Sequence, residues 1–166
     1  MTNETVQVAI IMGSDSDLPV VEASFSILDD FGVKYTKNVM SAHRTPHDVM
    51  ELIKTSEERG CKVFIAAAGM AAHLAGAVAA HSTKPVIGIP IESGGMGGID
   101  SLLSTAMMPP GVPVATVAVG KSGAKNSAIL AVQILATSDE DLAQKLVEYK
   151  QNMRSEVLEK DKKLNS

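Results

Sequence analysis

The sequence predicts a single α/β domain built on a parallel β-sheet that is covered by helices on both faces. Three observations support this prediction: short apolar runs recur about every thirty residues, helix-like stretches separate most of them, and polar loops follow them. Several runs are apolar on both faces, which is typical of strands buried on both sides of a sheet. Strand, helix and strand repeated in this order imply right-handed crossovers, and therefore parallel strands.

Five apolar runs rich in β-branched residues are the predicted strands. They lie at residues 6–12, 34–40, 62–68, 85–90 and 113–119. The stretches after the first, second, third and fifth runs have the length and composition of helices. They lie at residues 18–31, 46–59, 71–81 and 122–136. The fourth run is followed instead by a glycine-rich loop.

A further, amphipathic helix is predicted near the end of the chain, at residues 139–164. Apolar side chains recur there at three- and four-residue steps in an otherwise charged segment. They are Leu142, Leu146, Tyr149, Met153 and Val157. We expect one domain over residues 1–166, with an α/β core at about 6–137 and a helical tail at about 138–164.

The composition limits how this domain can be stabilised. Apolar residues make up 45% of the 166 residues, but aromatic residues make up only 3% and Trp is absent. The core must therefore consist of Ala, Val, Ile, Leu and Met, and small side chains bury less area per residue. We expect additional burial against partner subunits, to which the apolar face of the tail would contribute.

The charges and the single cysteine exclude several classes of function. The net charge is −4 and no basic block is present, which argues against nucleic-acid binding. Cys61 cannot form an internal disulfide and lacks metal-type spacing to any His, so we expect a buried thiol at a strand start. The N-terminus has no basic segment, and its apolar run is too short for a signal peptide or a membrane span. We expect a cytosolic protein that does not bind membranes.

Polar loops follow the first four predicted strands, where a parallel sheet binds its ligands. They are GSDSD at 13–17, SAHRTP at 41–46, AGMAAH at 68–73 and ESGGMGG at 92–98. The first three lead into helix N-termini, whose free N–H groups and dipole favour an anion. This convergence predicts a binding site for a phosphorylated ligand.

GSDSD lacks the lysine and the spacing of a P-loop. Gly13 permits close approach of the backbone, and Ser14 offers a hydroxyl donor to phosphate. Asp17 stands where a helix begins, so it either caps that helix or accepts from ribose hydroxyls.

SAHRTP combines a phosphate clamp with an imidazole. Arg44 supplies a bidentate cation, Ser41 adds a donor, and Pro46 suits the first helical turn. His43 then points toward the bound phosphate and is our candidate catalytic residue. His47 and His81 have no comparable setting and are expected to be ordinary helix positions.

The third loop is nearly free of large side chains, so its backbone N–H groups can approach a ligand closely. Such a wall of Ala and Gly is tight and dry, and it carries one imidazole, His73. We expect His73 to lie a few residues into a helix. Its role is either to support the site or to transfer a proton directly.

These loops in this order closely resemble the N5-carboxyaminoimidazole ribonucleotide mutase family, which acts in purine biosynthesis. The resemblance covers residues 6–158 and rests on GSDSD, SAHRTP, AAHLAG and MPPGVPVATVAVGKSGAKNSAILAVQIL. SAHRTP is informative because related carboxylases that use free CO2 carry a Lys-Gly variant of this loop. The resemblance implies a flavodoxin-like three-layer α/β/α sandwich, a homo-octamer, and an isomerase that uses neither metal nor cofactor.

By position, the resemblance also implies roles for individual residues. His43 matches the catalytic imidazole. The matches to substrate-binding residues are Ser14, Asp17, Ser41, Arg44, Ala68, Gly69 and His73. Three features depart from the common pattern: Met70 replaces a frequent Gly, Met107 replaces a frequent Gln, and residues 94–98 are unusually rich in glycine. These changes concern the rim of the pocket and a possible lid.

The implied reaction moves a carboxylate from an exocyclic nitrogen to a neighbouring ring carbon, through CO2 that is released and recaptured in the closed site. One imidazole that gives and then takes a proton suffices. Two alternatives stay open: a carboxylase that takes CO2 from solution, and a non-catalytic flavodoxin-like module that binds a phosphorylated nucleotide. A flavin-binding electron carrier fits least, because the phosphate loops lack an aromatic residue to stack on the ring.

Overall fold

A computed structural model describes residues 5–166, and its centre is a five-stranded parallel sheet. The strands are β1 (Val8–Met12), β2 (Tyr35–Val39), β3 (Val63–Gly69), β4 (Val86–Ile91) and β5 (Ala115–Thr116). Their order across the sheet is β2-β1-β3-β4-β5, and every neighbouring pair is parallel. The predicted α/β class and the parallel sheet are confirmed.

Within residues 5–166, six helices accompany the sheet. They are α1 (Leu18–Phe31), α2 (Pro46–Glu58), α3 (Leu74–His81), α4 (Ile99–Ala106), α5 (Lys121–Ala136) and α6 (Glu140–Leu164). A short 3₁₀ turn, Asp15–Asp17, precedes α1. Proline stands in the first turn of both α1 and α2, where its missing N–H costs nothing.

Alternating strand residues divide the core into two apolar layers. Ile10 and Ile65 lie in the layer that α1 and α5 cover, whereas Ile11 and Phe64 lie in the layer that α2 and α3 cover. Every residue of β1 and β4 is buried, as is expected of central parallel strands. Helices on both faces of the sheet complete the three-layer sandwich.

Cys61 lies two residues before β3 and is buried, as the sequence predicted. Its Sγ–H donates to the carbonyl oxygen of Val63 at 3.3 Å. Burial raises the pKa of this thiol to about 11, so it stays protonated at neutral pH.

Three elements differ from the sequence prediction. Helix α4 was not predicted, because its eight residues follow a glycine-rich loop and expose apolar side chains. Strand β5 keeps two residues of the seven predicted, since only Ala115 and Thr116 pair with β4. Helix α3 begins at Leu74 rather than at residue 71, because residues 70–72 form a turn in which Ala72 N–H donates to the Met70 carbonyl at 2.8 Å.

The first half of α6 is anchored to the domain. Asp139 caps the helix by accepting from Leu142 N–H at 3.0 Å, and Leu142 is buried. Lys145 Nζ donates to the Phe31 carbonyl at 3.0 Å, and the rings of Phe31 and Tyr149 lie 5.7 Å apart. From residue 151 onward every residue is exposed. Over residues 5–166 no helix combines the length and the apolar composition that crossing a membrane requires.

Candidate active site

The loops that follow β1, β2, β3 and β4 meet at one edge of the sheet and line a cavity of about 510 Å³. All eight residues that the sequence singled out for a site line this cavity. They are Ser14, Asp17, Ser41, His43, Arg44, Ala68, Gly69 and His73. Loops far apart in sequence therefore share one volume, because parallel strands end at the same edge.

The loop after β1 is held by hydrogen bonds of its own. Ser14 N–H donates to Asp17 Oδ2 at 3.1 Å, and Ser16 N–H donates to Ser14 Oγ at 3.2 Å. These bonds form a capping box on the 3₁₀ turn. Asp17 occupies the N-cap position of α1 but makes no side-chain capping bond to that helix.

Asp17 is a buried carboxyl group at the wall of the cavity, with only 5% of its surface exposed. Burial raises its pKa, because the charged form loses hydration; the bonds from Ser14 and Gly13 amides offset part of this effect. The fold thus keeps a carboxylate where its charge is unfavourable, which is typical of a functional site.

The loop after β2 is closed by Thr45, which sequence reasoning did not single out. Ser41 N–H donates to Thr45 Oγ1 at 2.9 Å, and that hydroxyl donates to the Ser41 carbonyl at 3.0 Å. Arg44 N–H donates to Ser41 Oγ at 3.2 Å. Arg44 Nη2 also reaches the Gly13 carbonyl at 3.3 Å and thereby connects the loops after β2 and β1. The remaining guanidinium donors are exposed.

The loops after β2 and β3 bring two imidazoles together. The ring centroids of His43 and His73 lie 5.3 Å apart, with the ring planes at 51°. His73 occupies the N-cap position of α3. The sequence predicted a position a few residues into the helix, and that prediction is wrong. Two exposed imidazoles on one wall can give and take protons at neighbouring points of a ligand.

The small residues at the end of β3 form a wall without side-chain bulk. Gly69 is required there, because a Cβ atom would collide with Ser93 Oγ and lie 2.9 Å from Ser93 Cβ. Ser93 lines the cavity and belongs to the loop after β4, but sequence reasoning did not select it. Its position in the serine-containing loop at the same sheet edge was the available signal.

Met70 departs from the small-residue pattern of this wall. Its φ is 55°, and it is the only non-glycine residue with a positive φ in the described part of the chain. Residues other than Gly adopt this left-handed region at a cost of roughly 1–2 kcal/mol. Met70 lines the cavity and keeps 64% of its surface exposed.

Among residues 5–166 no group of three or more His, Cys, Asp or Glu side chains is arranged to hold a metal ion.

A three-layer sandwich with a ligand cavity at the carboxyl edge of its parallel sheet defines a flavodoxin-like α/β protein. The chain belongs to the AIR carboxylase family, whose model matches residues 7–156. The N5-carboxyaminoimidazole ribonucleotide mutase of Bacillus subtilis (strain 168) is 53% identical over 157 residues, which cover 95% of this chain and 97% of that protein.

Relatives in distant organisms carry the same name. The N5-carboxyaminoimidazole ribonucleotide mutase of Thermotoga maritima is 51% identical over 158 residues, covering 95% of this chain and 91% of that protein. The crystal structure of Treponema denticola PurE is similar, with a TM-score of 0.87 and 31% identity, and it covers 96% of this chain and 99% of that one. The expected family and the flavodoxin-like fold are confirmed.

The buried carboxyl group of Asp17 gives a prediction about stability and pH. Its folded-state pKa lies above the unfolded value, so the folded protein binds more protons between the two values. The free energy of unfolding contributed by this group therefore falls as pH rises through that window. Asp17→Asn keeps the acceptor oxygen but cannot ionise. Between pH 3 and pH 7, the free energy of unfolding of Asp17→Asn should therefore rise relative to that of the wild type.

Urea unfolding at several pH values measures this difference. Glu22→Gln removes a negative charge from an exposed position on α1 and is the matched control. A pH-independent difference for Asp17→Asn would show that the Asp17 carboxyl group is not destabilised by burial.

Proposed function

We propose that the chain is an N5-carboxyaminoimidazole ribonucleotide mutase, an isomerase of purine biosynthesis. One observation carries the proposal: phosphate donors and an imidazole lie on adjacent residues, Arg44 and His43, and line the same cavity. The names of the relatives support the substrate. A ribonucleotide contains a phosphate, a ribose and a ring, and the cavity offers different residues to each of them.

The phosphate would bind between the loops after β1 and β2. Ser14 and Ser41 offer hydroxyl groups, and Arg44 offers the exposed part of its guanidinium. The bond from Arg44 to the Gly13 carbonyl holds the two loops at a fixed separation. A charge-assisted contact to phosphate thus requires little reorganisation.

The ribose and the ring would extend from the phosphate toward β3. Asp17 lines the cavity, where its carboxyl group would accept from ribose hydroxyls beside the bond from Ser14 N–H. The backbone at Ala68 and Gly69 can approach the ring closely, because Gly69 carries no Cβ. His43 and His73 then flank the reacting end.

The reaction requires one proton donor that becomes an acceptor. The bond between the exocyclic nitrogen and the carboxylate breaks, its electron pair stays on nitrogen, and nitrogen takes a proton from the His43 imidazolium. The ring carbon then attacks the released CO2. The proton on that carbon returns to the neutral imidazole, which restores the aromatic ring. No atom or electron is gained or lost overall, so neither ATP nor an oxidant is required.

Turnover by the purified protein tests this function. The carboxylated amine, supplied without ATP or metal, should give the ring-carboxylated ribonucleotide. A protein that uses only the free amine and bicarbonate would instead be the carboxylase alternative. Tight binding of the ribonucleotide without turnover would favour the binding module.

His43 should be required for turnover and not for binding. Replacing it with Asn leaves Arg44 and the serines in place, so the ribonucleotide should still bind. The kcat should fall by on the order of 10²–10⁴ or more, the range expected for a lost general acid–base group. His73→Asn, assayed in parallel, separates the roles of the two imidazoles. A near-normal kcat for His43→Asn would contradict the assignment of the proton shuttle.

Arg44 should act chiefly through the phosphate. A hydrogen bond to a charged group contributes about 1.5–3 kcal/mol, so Arg44→Ala should weaken ribonucleotide binding roughly 10- to 100-fold. The corresponding ribonucleoside, which lacks phosphate, should lose little affinity. Calorimetric titration of both ligands measures the contrast. Equal losses for the two ligands would mean that Arg44 does not contact the phosphate.

We further propose a homo-octamer in the cytosol. Exposed apolar side chains on the second half of α6 support close subunit packing, with Met153, Val157 and Leu158 all about half exposed or more. Light scattering should give an octamer mass at micromolar concentration. Removing residues 151–166 should lower the mass and the activity, although the cavity residues are untouched. A fully active monomer would contradict this assembly.

A further inference from the structure

Met70 is unusual among the residues that line the cavity. Apart from Leu74, it is the only apolar side chain there larger than Ala in the described chain. Leu74 is 2% exposed and belongs to the core, whereas Met70 is 64% exposed. Met70 is therefore the one large apolar side chain of the lining that can move without disturbing the core. A methionine side chain, with its three rotatable bonds, adapts readily to irregular surfaces.

The backbone at Met70 is held in its left-handed conformation from two directions. Ala72 N–H donates to the Met70 carbonyl at 2.8 Å, and Ser104 Oγ, on α4, lies 3.5 Å from the same oxygen. On the preceding side, the place of a Gly69 side chain is already filled by Ser93. The surrounding loops thus fix a backbone conformation that Met adopts unfavourably, and such strain points to function.

We propose that the Met70 side chain is an apolar cover that retains CO2 between its release from nitrogen and its capture by carbon. This inference rests on the proposed function. Carbon dioxide is neutral and small, so no charged group of the cavity can hold it. Only exclusion of water and closure of the cavity keep it beside the ring. Ala68 and Gly69 form one apolar wall, and Met70 supplies a movable part on the solvent side of the cavity.

In this role Met70 decides whether CO2 is retained or escapes, and it takes no part in breaking or forming bonds. In both outcomes the nitrogen–carboxylate bond breaks and nitrogen gains a proton. Retention of CO2 leads to attack by the ring carbon and an isomerised product. Escape leaves the decarboxylated amine and a free CO2, after which carbon can be carboxylated only by CO2 drawn from solution. The source of the product's carboxyl carbon therefore reports on retention.

The experiment supplies unlabelled substrate in buffer that contains 13C-bicarbonate, at low conversion so that the reverse reaction is negligible. The wild type should form product with little label and little free amine. Met70→Ala should raise both the labelled fraction and the free amine several-fold. Its Michaelis constant should change little, since the phosphate contacts are intact. Met70→Leu, which keeps the apolar bulk, should restore retention.

Three controls make the result decisive. An enzyme-free sample corrects for spontaneous loss of CO2 from the carbamate. Met50→Ala removes a partly exposed methionine on α2 outside the cavity and should label like the wild type. Thermal unfolding confirms that each variant is folded. Wild-type labelling by Met70→Ala, or equal leakage from Met70→Ala and Met70→Leu, would overturn the proposal for Met70 alone. No product from the wild type would overturn the proposed function as well.

Discussion

The parallel pairing of β1 with β2 and β3, and of β3 with β4, is the constraint on which the rest of this structure depends. Parallel strands need a crossover after each strand, so the chain leaves the sheet at the same edge four times. Residues separated by up to 80 positions thereby line one cavity, as Gly13 and Ser93 do. The crossover helices complete the arrangement, because they cover both faces of the sheet and leave only its edge open to a ligand.

The cavity is organised before any ligand arrives, because its loops bond to themselves and to each other. Thr45 closes the loop that carries His43, and Asp17 holds the backbone of Ser14. Arg44 then joins the two loops through the Gly13 carbonyl. A cation that already bridges two loops loses less conformational entropy when phosphate binds, since part of its side chain is fixed. A ligand that binds Arg44 would therefore be positioned beside the imidazole of the adjacent residue, His43.

The sequence predicted what depends on local pattern. The burial of β1, β3 and β4, the amphipathic α6 and the convergence of SAHRTP with GSDSD all followed from periodicity and the rule of parallel sheets. What it did not predict depends on tertiary contacts. The helix α4 has apolar residues at helical spacing but is only eight residues long, and β5 is short because only two residues pair with β4. Ser93 belongs to the loop at 92–98 that the sequence placed at this sheet edge, but its proximity to Gly69 arises only when β3 and β4 are paired. The left-handed backbone of Met70 likewise has no counterpart in local sequence, since Met disfavours it.

Two residues that line the cavity, Asp17 and Met70, lower the stability of the fold. Burial disfavours the negative charge of Asp17, although the charged form is the better acceptor for a ribose hydroxyl. Met70 holds a backbone conformation that suits Gly. Neither residue contributes to the apolar core: the Asp17 side chain bonds within its own loop and does not cap α1, and the side chain of Met70 does not pack in the core. Costs of this kind persist when the surrounding structure determines the local conformation. In this domain the two buried apolar layers and the hydrogen-bonded loops determine the local conformation. The buried core stabilises the fold enough to tolerate strain at the edge of the sheet. The strain is thus located at the wall of the cavity, where the proposed function would place the ribose and the reacting carbon.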